Sequence, residues 1–293
     1  MKCRNLTYVR QLNKLSLPKH FEEMQPISSI INPEVLNQKE KLSKLFKEAQ
    51  PCRHVAIENF LNPQIADQLF ENFPPFETLN VKRKSINEDK AEDYHFERWH
   101  PIFSQVRDAV QSEEFCTWLS EMTGVEGLRS TDDSLGSGLH QGKNGSFVDV
   151  HVDVNMNPEK GLWRRINLLI YLNKYWKPEY GGDLELWDVE MKKCVKKIPP
   201  FHNVAVIFYT DDNSPHGYSR IHVPEHESRK SFYTYYYTPI GEGFTYRDSK
   251  FLPRPDESLG KKLITNVKET IKINTKRALK FLGVKKLDFQ DKN

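Results

Sequence analysis

Hydrophobic positions in the first part of the chain recur at the spacing of amphipathic helices. Within residues 37–50 the i, i+3, i+4, i+7 pattern predicts a helix, whose apolar positions are Leu42, Leu45, Phe46 and Ala49. Residues 54–60 (HVAIENF) have the composition of a strand. A second helix is predicted to begin at Pro63, with Asn62 as its N-cap, and to end before Pro74.

Two further segments precede the middle of the chain. Residues 81–94 are rich in Lys, Glu and Asp, which favours an exposed loop or a solvated helix. Their position also makes them a candidate substrate-covering loop. Residues 101–122 carry apolar side chains at near-helical spacing and predict a helix or a helix pair, which Gly124 ends.

From residue 128 onward the hydrophobic period changes from helical to strand-like. Short runs of Val, Ile, Phe and Tyr are separated by Gly, Pro, Asn and Asp, and they cover residues 147–154, 167–172, 183–187, 193–198, 204–209 and 232–238. No apolar pattern of helical length interrupts them. The pattern therefore predicts an all-β sandwich or barrel with a mostly helical layer packed on it.

The end of the chain returns to helical spacing. Residues 261–282 place Ile264, Val267 and Ile271 on one face with lysines on the others. Such a helix can bind a membrane surface, but we expect it to pack on its own domain. The predicted division is an arm at 1–35, one domain at 36–245 (helical layer 36–127, core 128–240) and a C-terminal extension at 246–293.

Composition narrows the class of protein. The chain has 293 residues, 38% of them hydrophobic, and 43 Lys and Arg against 40 Asp and Glu, so net charge gives no reason to expect nucleic acid as a partner. The 4 cysteines form no C-x-x-C pair, which favours a reducing compartment over a disulfide framework or a zinc site. No secretory leader or membrane-spanning run is visible, and we expect a cytoplasmic protein.

Candidate metal ligands stand in the middle of the predicted β unit. On a strand, His151 and Asp153 would point to the same side, because side chains two residues apart share a face. His216, on a later strand, is the candidate for a third ligand. Two imidazoles and one carboxylate are the set that holds non-haem Fe(II) with open coordination positions. An H-x-D sequence alone arises often by chance, so the case depends on its neighbours.

A candidate anion-binding residue follows His216 in the sequence. Arg229 enters an aromatic strand (RKSFYTYYYT), where a buried guanidinium needs a carboxylate. The distal carboxylate of a dicarboxylic co-substrate would meet this need, and an internal salt bridge is the alternative. Lys230 would point to the opposite face.

These motifs occur in a familiar order. The succession HVD, RRINLLIYLNKYW, GGDLELW, PHG and RKS resembles the Fe(II)- and 2-oxoglutarate-dependent dioxygenases, most of all their prolyl 4-hydroxylase-like branch. The resemblance covers about residues 135–240. It implies an α+β fold whose core is a double-stranded β-helix (jelly-roll, cupin-like), with a helical N-terminal layer and a C-terminal helix.

The resemblance also implies roles for particular residues. It makes His151, Asp153 and His216 the iron ligands and Arg229 the partner of the 2-oxoglutarate distal carboxylate. Further co-substrate contacts are expected at Tyr171, Ser231, Gln141 and Asn167. Gln141, beside His140, stands where the hypoxia-factor enzymes of this branch have a tyrosine, so the contacts near the iron are open. Arg164 is a further pocket candidate.

The implied cofactors are Fe(II) and the co-substrate 2-oxoglutarate, with ascorbate as an additional candidate. The implied reaction consumes O₂ and releases succinate and CO₂ while an unactivated C–H bond is hydroxylated. Asp153 favours hydroxylation over halogenation, because related halogenases have a small residue there. For the substrate we expect a small metabolite, sugar or lipid-linked intermediate. The alternatives are a peptidyl or free prolyl residue, or a non-catalytic jelly-roll binding protein. Oligomeric state is open.

Overall fold

A mostly helical layer, with three strands between its helices, precedes the main run of strands. The computed structural model describes residues 26–281, so the expected arm falls outside the described residues up to residue 25. The α-helices of this part are α1 Pro33–Asn37, α2 Lys39–Glu48, α3 Pro63–Glu71, α4 Pro101–Gln111, α5 Glu113–Thr123 and α6 Leu259–Phe281. Short 3₁₀ helices lie at Ile27–Ser29, Phe76–Thr78, Phe96–Arg98 and Pro178–Tyr180. No helix among residues 26–281 combines the length and apolar character needed to cross a bilayer.

The strands form one curled, antiparallel sheet. They are β1 His54–Ile57, β2 Val81–Lys84, β3 Glu88–Asp93, β4 Ser137–Gly142, β5 Phe147–Val152, β6 Met156–Asn157, β7 Leu162–Tyr171, β8 Leu184–Trp187, β9 Cys194–Ile198, β10 Val204–Tyr209, β11 His216–Tyr218, β12 Arg229–Pro239 and β13 Lys250–Phe251. Their order is β1-β10-β7-β12-β4-β3-β5-β11-β8-β9. This arrangement confirms the predicted α+β fold with a double-stranded β-helix core.

The two faces of β7 differ. The face toward the helices is apolar, and the face toward the interior of the roll carries polar side chains. Ile166, Leu168 and Ile170 join the main hydrophobic core beneath the helices. Asn167 and Tyr171 alternate with them and therefore point into the roll. Helical residues such as Phe103, Phe115 and Leu119, each fully buried, fill the other side of this core. The helical layer thus fixes the strand that carries polar site residues.

The charged segment 81–94 is a β-hairpin, and the prediction of a loop or solvated helix is wrong. β2 pairs with β3, and β3 bridges β4 and β5, so the hairpin closes the wall of the roll. Charged residues are tolerated there because they neutralise one another: Lys90 Nζ lies 2.7 Å from Glu92 Oε1, and Arg83 Nε 2.8 Å from Glu92 Oε2. Such pairing across a sheet is invisible in a local charge pattern.

The C-terminal extension is held on the strand layer by buried charges. Arg254 lies between two buried carboxylates, with Nη1 3.1 Å from Asp149 Oδ1 and Nε 3.1 Å from Glu185 Oε2. Lys261 of α6 adds a 2.7 Å contact to Asp149. Asp149 belongs to β5 and Glu185 to β8. The extension therefore ties together two strands that flank β11.

Removing the shared cation should destabilise the fold. Arg254→Ala is expected to lower the free energy of unfolding by about 3–5 kcal/mol, because it leaves buried carboxylates without their partner. Lys160→Ala is the control, since its partner Asp132 is 88% exposed, and it should leave the midpoint of urea unfolding nearly unchanged. Equal midpoints for the two variants would show that Arg254 contributes no special stability.

Candidate metal and co-substrate site

Three potential metal ligands meet where the end of β5 lies beside β11. His151 of β5 pairs directly with His216, the first residue of β11, and Asp153 follows β5 immediately. Asp153 Oδ1 is 3.5 Å from His151 Nε2, and Asp153 Oδ2 is 3.8 Å from His216 Nε2. Ligand atoms of the three side chains all lie within 4.8 Å of one another, and no other such group occurs among residues 26–281.

The pairing of β11 with β5 contains a register shift. His216 pairs with His151, but Tyr218 pairs with Val148, so one extra residue of β5 is accommodated between the two pairs. Such bulges are common beside functional sites, where they redirect side chains. Gly217 sits at the shift, and a Cβ there would lie 2.7 Å from the Val148 carbonyl oxygen. A glycine is therefore required between His216 and Tyr218.

Backbone carbonyls orient both imidazoles. Nδ1 of His151 is 3.0 Å from the Asp149 carbonyl oxygen, and Nδ1 of His216 is 2.9 Å from the Ser214 carbonyl oxygen. Each contact requires the proton on Nδ1, because a carbonyl can only accept. The lone pair of each ring is then on Nε2, which points to Asp153. This is the tautomer that a metal-binding histidine uses.

The charge states also suit a metal site. Burial opposes ionisation of Asp153, but the neighbouring His151, His216 and Arg164 hold the pKa of its carboxyl well below its usual range. Asn167 Nδ2 donates to Asp153 Oδ2 at 2.8 Å. Burial, together with the neighbouring His151, lowers the pKa of His216 to about 4. A carboxylate and a neutral imidazole are the forms that ligate metals.

Arg229 is a buried cation without a protein counter-ion. It is 3% exposed, and no Asp or Glu of the described residues forms an ion pair with it. Its Nε donates to the Gly182 carbonyl oxygen at 2.7 Å, and its Nη2 donates to the Tyr171 hydroxyl at 3.3 Å. Within residues 26–281, an internal salt bridge, the alternative role, is thus absent. A bound anion would offset the cost of burying this charge.

Tyr218 connects the ligand cluster to Arg229. It lies two residues beyond His216, and its ring centroid is 4.1 Å from the Arg229 Cζ. Its hydroxyl is buried and has no hydrogen-bond partner within the described part of the chain. Nε2 of His140, whose ring is 5.9 Å from that of Tyr218, likewise has none. Unpaired buried polar atoms beside an unpaired guanidinium indicate a place for a polar, anionic ligand.

The family comparison agrees with this geometry. The model of the 2OG-Fe(II) oxygenase superfamily matches residues 137–237, a range that includes the ligand cluster and Arg229. The chain is thus similar to this superfamily over about a third of its length. Its resemblance to the prolyl 4-hydroxylase-like branch, and the expectation of Fe(II) and 2-oxoglutarate as the cofactors of the family, are confirmed.

Individual proteins are similar to this chain at low sequence identity. Prolyl 3-hydroxylase OGFOD1 of Mus musculus is 26% identical over 197 residues, which are 66% of this chain and 34% of the relative. The chain thus spans about a third of the length of that curated relative. A Trichoplax adhaerens prolyl hydroxylase, solved with a hypoxia-inducible factor peptide, is similar at 20% identity and a TM-score of 0.48, covering 70% and 92% of the two chains. A Pseudomonas putida prolyl-4-hydroxylase is similar at 16% identity and a TM-score of 0.44, covering 68% and 100%.

The expected co-substrate contacts divide between the two faces of the sheet. Ser231 pairs with both Tyr171 and His140 in the strand register, so these three share the interior face. Gln141 pairs with Lys230 on the opposite face and donates to Ser228 Oγ at 2.8 Å. The expectation of a co-substrate contact at Gln141 is therefore wrong by one residue, because alternation on β4 turns His140 inward.

Two interior residues, His140 and Tyr218, were not predicted as site residues from the sequence. His140 was set aside for its neighbour because the register of β4 could not be read from the sequence. Tyr218 could have been found, since it lies two residues after His216 and so shares a face with it in an extended strand. Asn167, a predicted co-substrate contact, lies on the interior side of β7 and donates to Asp153 Oδ2.

The residues present fit both groups that the family uses. Two Nε2 lone pairs and one carboxylate are a donor set that Fe(II) accepts with positions left open. For 2-oxoglutarate, the unpaired guanidinium of Arg229 and the unpaired hydroxyl of Tyr218 offer donors to a carboxylate. Tyr171 is fully buried against Arg229, and burial raises its pKa, so its hydroxyl remains a donor.

Loss of one donor should weaken co-substrate binding measurably. Tyr218→Phe is expected to raise the 2-oxoglutarate concentration needed for half-maximal turnover roughly tenfold, as for loss of a hydrogen bond to a charged group. Tyr209→Phe is the matched control, because the Tyr209 hydroxyl accepts from Arg165 at 3.0 Å outside the site. If both variants need the same concentration as the unsubstituted protein, the Tyr218 hydroxyl does not bind the co-substrate.

Proposed function

We propose that the protein is an Fe(II)- and 2-oxoglutarate-dependent dioxygenase that hydroxylates an unactivated C–H bond of a small metabolite, sugar or lipid-linked intermediate. The observation that carries the proposal is a continuous interior surface that joins two features. One is the cluster of His151, Asp153 and His216. The other is the unpaired Arg229, reached through the ring of Tyr218. A binding scaffold would have no need for both.

Each residue has a defined task in this proposal. His151, Asp153 and His216 hold Fe(II), and Arg229 with Tyr171 binds the distal carboxylate of 2-oxoglutarate. When iron and co-substrate are bound, they supply with O₂ the oxidising power for C–H hydroxylation and release succinate and CO₂. The protein keeps these groups aligned and excludes water, since Arg229, Tyr171 and Tyr218 are all at most 3% exposed. Asp153 occupies the position that a halide would need, which favours hydroxylation.

The interior of the roll beside Asp153, where we place the substrate, is polar. A register shift between Tyr236 and Tyr237 against β7 places Arg164 opposite Tyr237. Arg164 is 3% exposed, its Cζ is 3.8 Å from the ring centroid of Tyr235, and its Nη1 is 3.5 Å from Asp153 Oδ2. Its Nε has no hydrogen-bond partner within the described chain. An N–H donor beside the iron ligand suits a substrate that carries an acceptor oxygen.

Aromatic rings extend this surface. Tyr233 and Tyr235 lie on the same face of β12 with ring centroids 5.1 Å apart and an angle of 35° between the rings. Neighbouring tyrosine rings can pack on the face of a saturated ring, and their hydroxyls can bond its substituents. This combination supports a hydroxylated ring, such as a sugar, as substrate.

Prolyl hydroxylation is the second candidate. Its support is the likeness to a mouse prolyl 3-hydroxylase, and a prolyl ring with its carbonyl could use the same rings and the same guanidinium. The discriminating experiment measures succinate formation with sugars and sugar nucleotides against prolyl peptides and free proline. Stimulation by a sugar-type compound supports the main proposal. Stimulation by prolyl compounds alone replaces it with the second.

Arg164→Ala tests the substrate role of this guanidinium. We expect it to lose most of the substrate-stimulated turnover, at least roughly tenfold, while the binding of Fe(II) and 2-oxoglutarate persists. Arg165→Ala is the matched control, because Arg165 is the next residue but bonds Tyr209. Equal loss in both variants, or loss of metal binding in Arg164→Ala, would remove the assignment of Arg164 to the substrate.

A further inference from the structure

Helix α6 lies on the domain with its polar face inward. Thr265 is fully buried and Glu269 is 7% exposed. Thr265 Oγ1 accepts a hydrogen bond from Asn87 at 2.9 Å, and Lys261 on the same face contacts Asp149. Lys272 continues this face and donates to the Ser249 carbonyl oxygen at 2.7 Å. Polar contacts therefore hold the helix in place.

The apolar face of the same helix points away from the domain. Its large side chains are exposed by 84, 66, 47, 47 and 60%, in the order Leu259, Leu263, Ile264, Val267 and Ile271. Their spacing of 3 and 4 residues puts them on one stripe, opposite the buried Thr265 and Glu269. A helix on a globular domain normally buries this stripe. α6 packs on its own domain, as expected, but through its polar face and not through this stripe.

Positive charge is concentrated in this helix. Residues 259–281 contain 7 Lys or Arg and 1 Glu. The rest of the chain then has 36 basic residues (43 less 7) and 39 acidic residues (40 less 1), a net charge of −3. Lys268, next to the stripe on the helix surface, is exposed. An outward apolar stripe on a strongly basic helix is the pattern of a segment that lies in a membrane interface.

We propose that α6 is the docking surface of this protein for an anionic lipid bilayer. The stripe formed by Leu263, Ile264, Val267 and Ile271 enters the interface, and Lys268, which is exposed beside the stripe, contacts the lipid headgroups. The positive charge of α6 favours an anionic lipid surface over a second copy of the chain as its binding partner. Two copies paired along the stripe would bring two helices of net charge +6 (7 less 1) together, whereas an anionic surface attracts them. The proposal does not depend on the substrate.

Vesicle flotation with the full chain tests this docking. One vesicle set is phosphatidylcholine alone, and the other mixes phosphatidylcholine and phosphatidylserine at about 2:1. The protein should float with the mixed vesicles, bind the neutral ones at least roughly tenfold more weakly, and lose binding as salt rises. Val267→Glu should reduce binding to the mixed vesicles at least roughly tenfold.

Val189→Glu is the matched control, because Val189 is similarly exposed (52%) but lies outside α6, and it should bind like the unsubstituted protein. Both variants should keep the same 2-oxoglutarate turnover, so a failure of docking is distinguishable from a failure of the proposed reaction. Three results would overturn the proposal: no flotation with mixed vesicles, unchanged flotation of Val267→Glu, or a dimer in vesicle-free buffer that Val267→Glu dissociates.

Discussion

Asp153→Ala is expected to reduce succinate formation at least about a hundredfold while leaving the fold intact. Losing a residue that merely supports a metal ligand typically costs 10- to 100-fold in affinity or activity, so losing the ligand itself should cost more. Asp153 also provides the negative charge of the cluster, since the other two ligands are imidazoles. The variant should therefore bind Fe(II) more weakly, which competition with a colorimetric chelator measures.

Asp132→Ala is the control for this variant, because Asp132 is an exposed aspartate whose ion pair with Lys160 lies on the surface. It should keep full turnover and full Fe(II) binding. Circular dichroism should show an unchanged fold for both variants. Undiminished turnover of a folded Asp153→Ala protein would remove Asp153 from the metal site and with it the proposed reaction.

Arg229→Ala is expected to raise the apparent KM for 2-oxoglutarate by roughly 30-fold or more. Truncating one partner of a buried, hydrogen-bonded charge pair costs about 2–5 kcal/mol, and each 1.4 kcal/mol is tenfold in binding. The turnover number at saturating co-substrate should fall far less, because Arg229 holds the carboxylate distant from the reacting carbon. Initial rates over a wide range of 2-oxoglutarate concentrations separate the two effects.

Lys230→Ala is the matched control for Arg229. Lys230 is the next residue in the chain, but it lies on the opposite face of β12, where its Nζ donates to the Ser228 carbonyl oxygen. Its removal should leave the apparent KM for 2-oxoglutarate unchanged. If Arg229→Ala behaves like this control while Lys230→Ala or Arg220→Ala raises the KM, the co-substrate binds elsewhere.

Local sequence patterns predicted much of the core and placed two of the candidate metal ligands on one face. The apolar runs of β7 and β10 and the helix start at Pro63 are short-range features, and the structure has strands and a helix there. His151 and Asp153 share a face because they are two residues apart on one chain segment. The partnership of His216 with them needed the ordered motifs, since pairing between distant strands is not a local property.

The failures concern contacts that depend on strand conformation or on partners distant in sequence. The hairpin at residues 81–94 appeared solvated because the pairing of Lys90 with Glu92 depends on the strand conformation. Gln141 was preferred to His140 because the register of β4 with β12 decides which of the two points inward. The orientation of α6 was missed because buried Asp149 attracts Lys261 and so turns the polar face of the helix inward.

Anaerobic titration of Fe(II) and 2-oxoglutarate into the protein tests the central claim most directly. If iron and co-substrate bind side by side between the cluster and Arg229, a metal-to-ligand charge-transfer band should appear in the visible region. It should be absent in Asp153→Ala and should require a higher 2-oxoglutarate concentration in Arg229→Ala. The absence of this band in the unsubstituted protein, at saturating Fe(II) and 2-oxoglutarate, would contradict the assignment of the site.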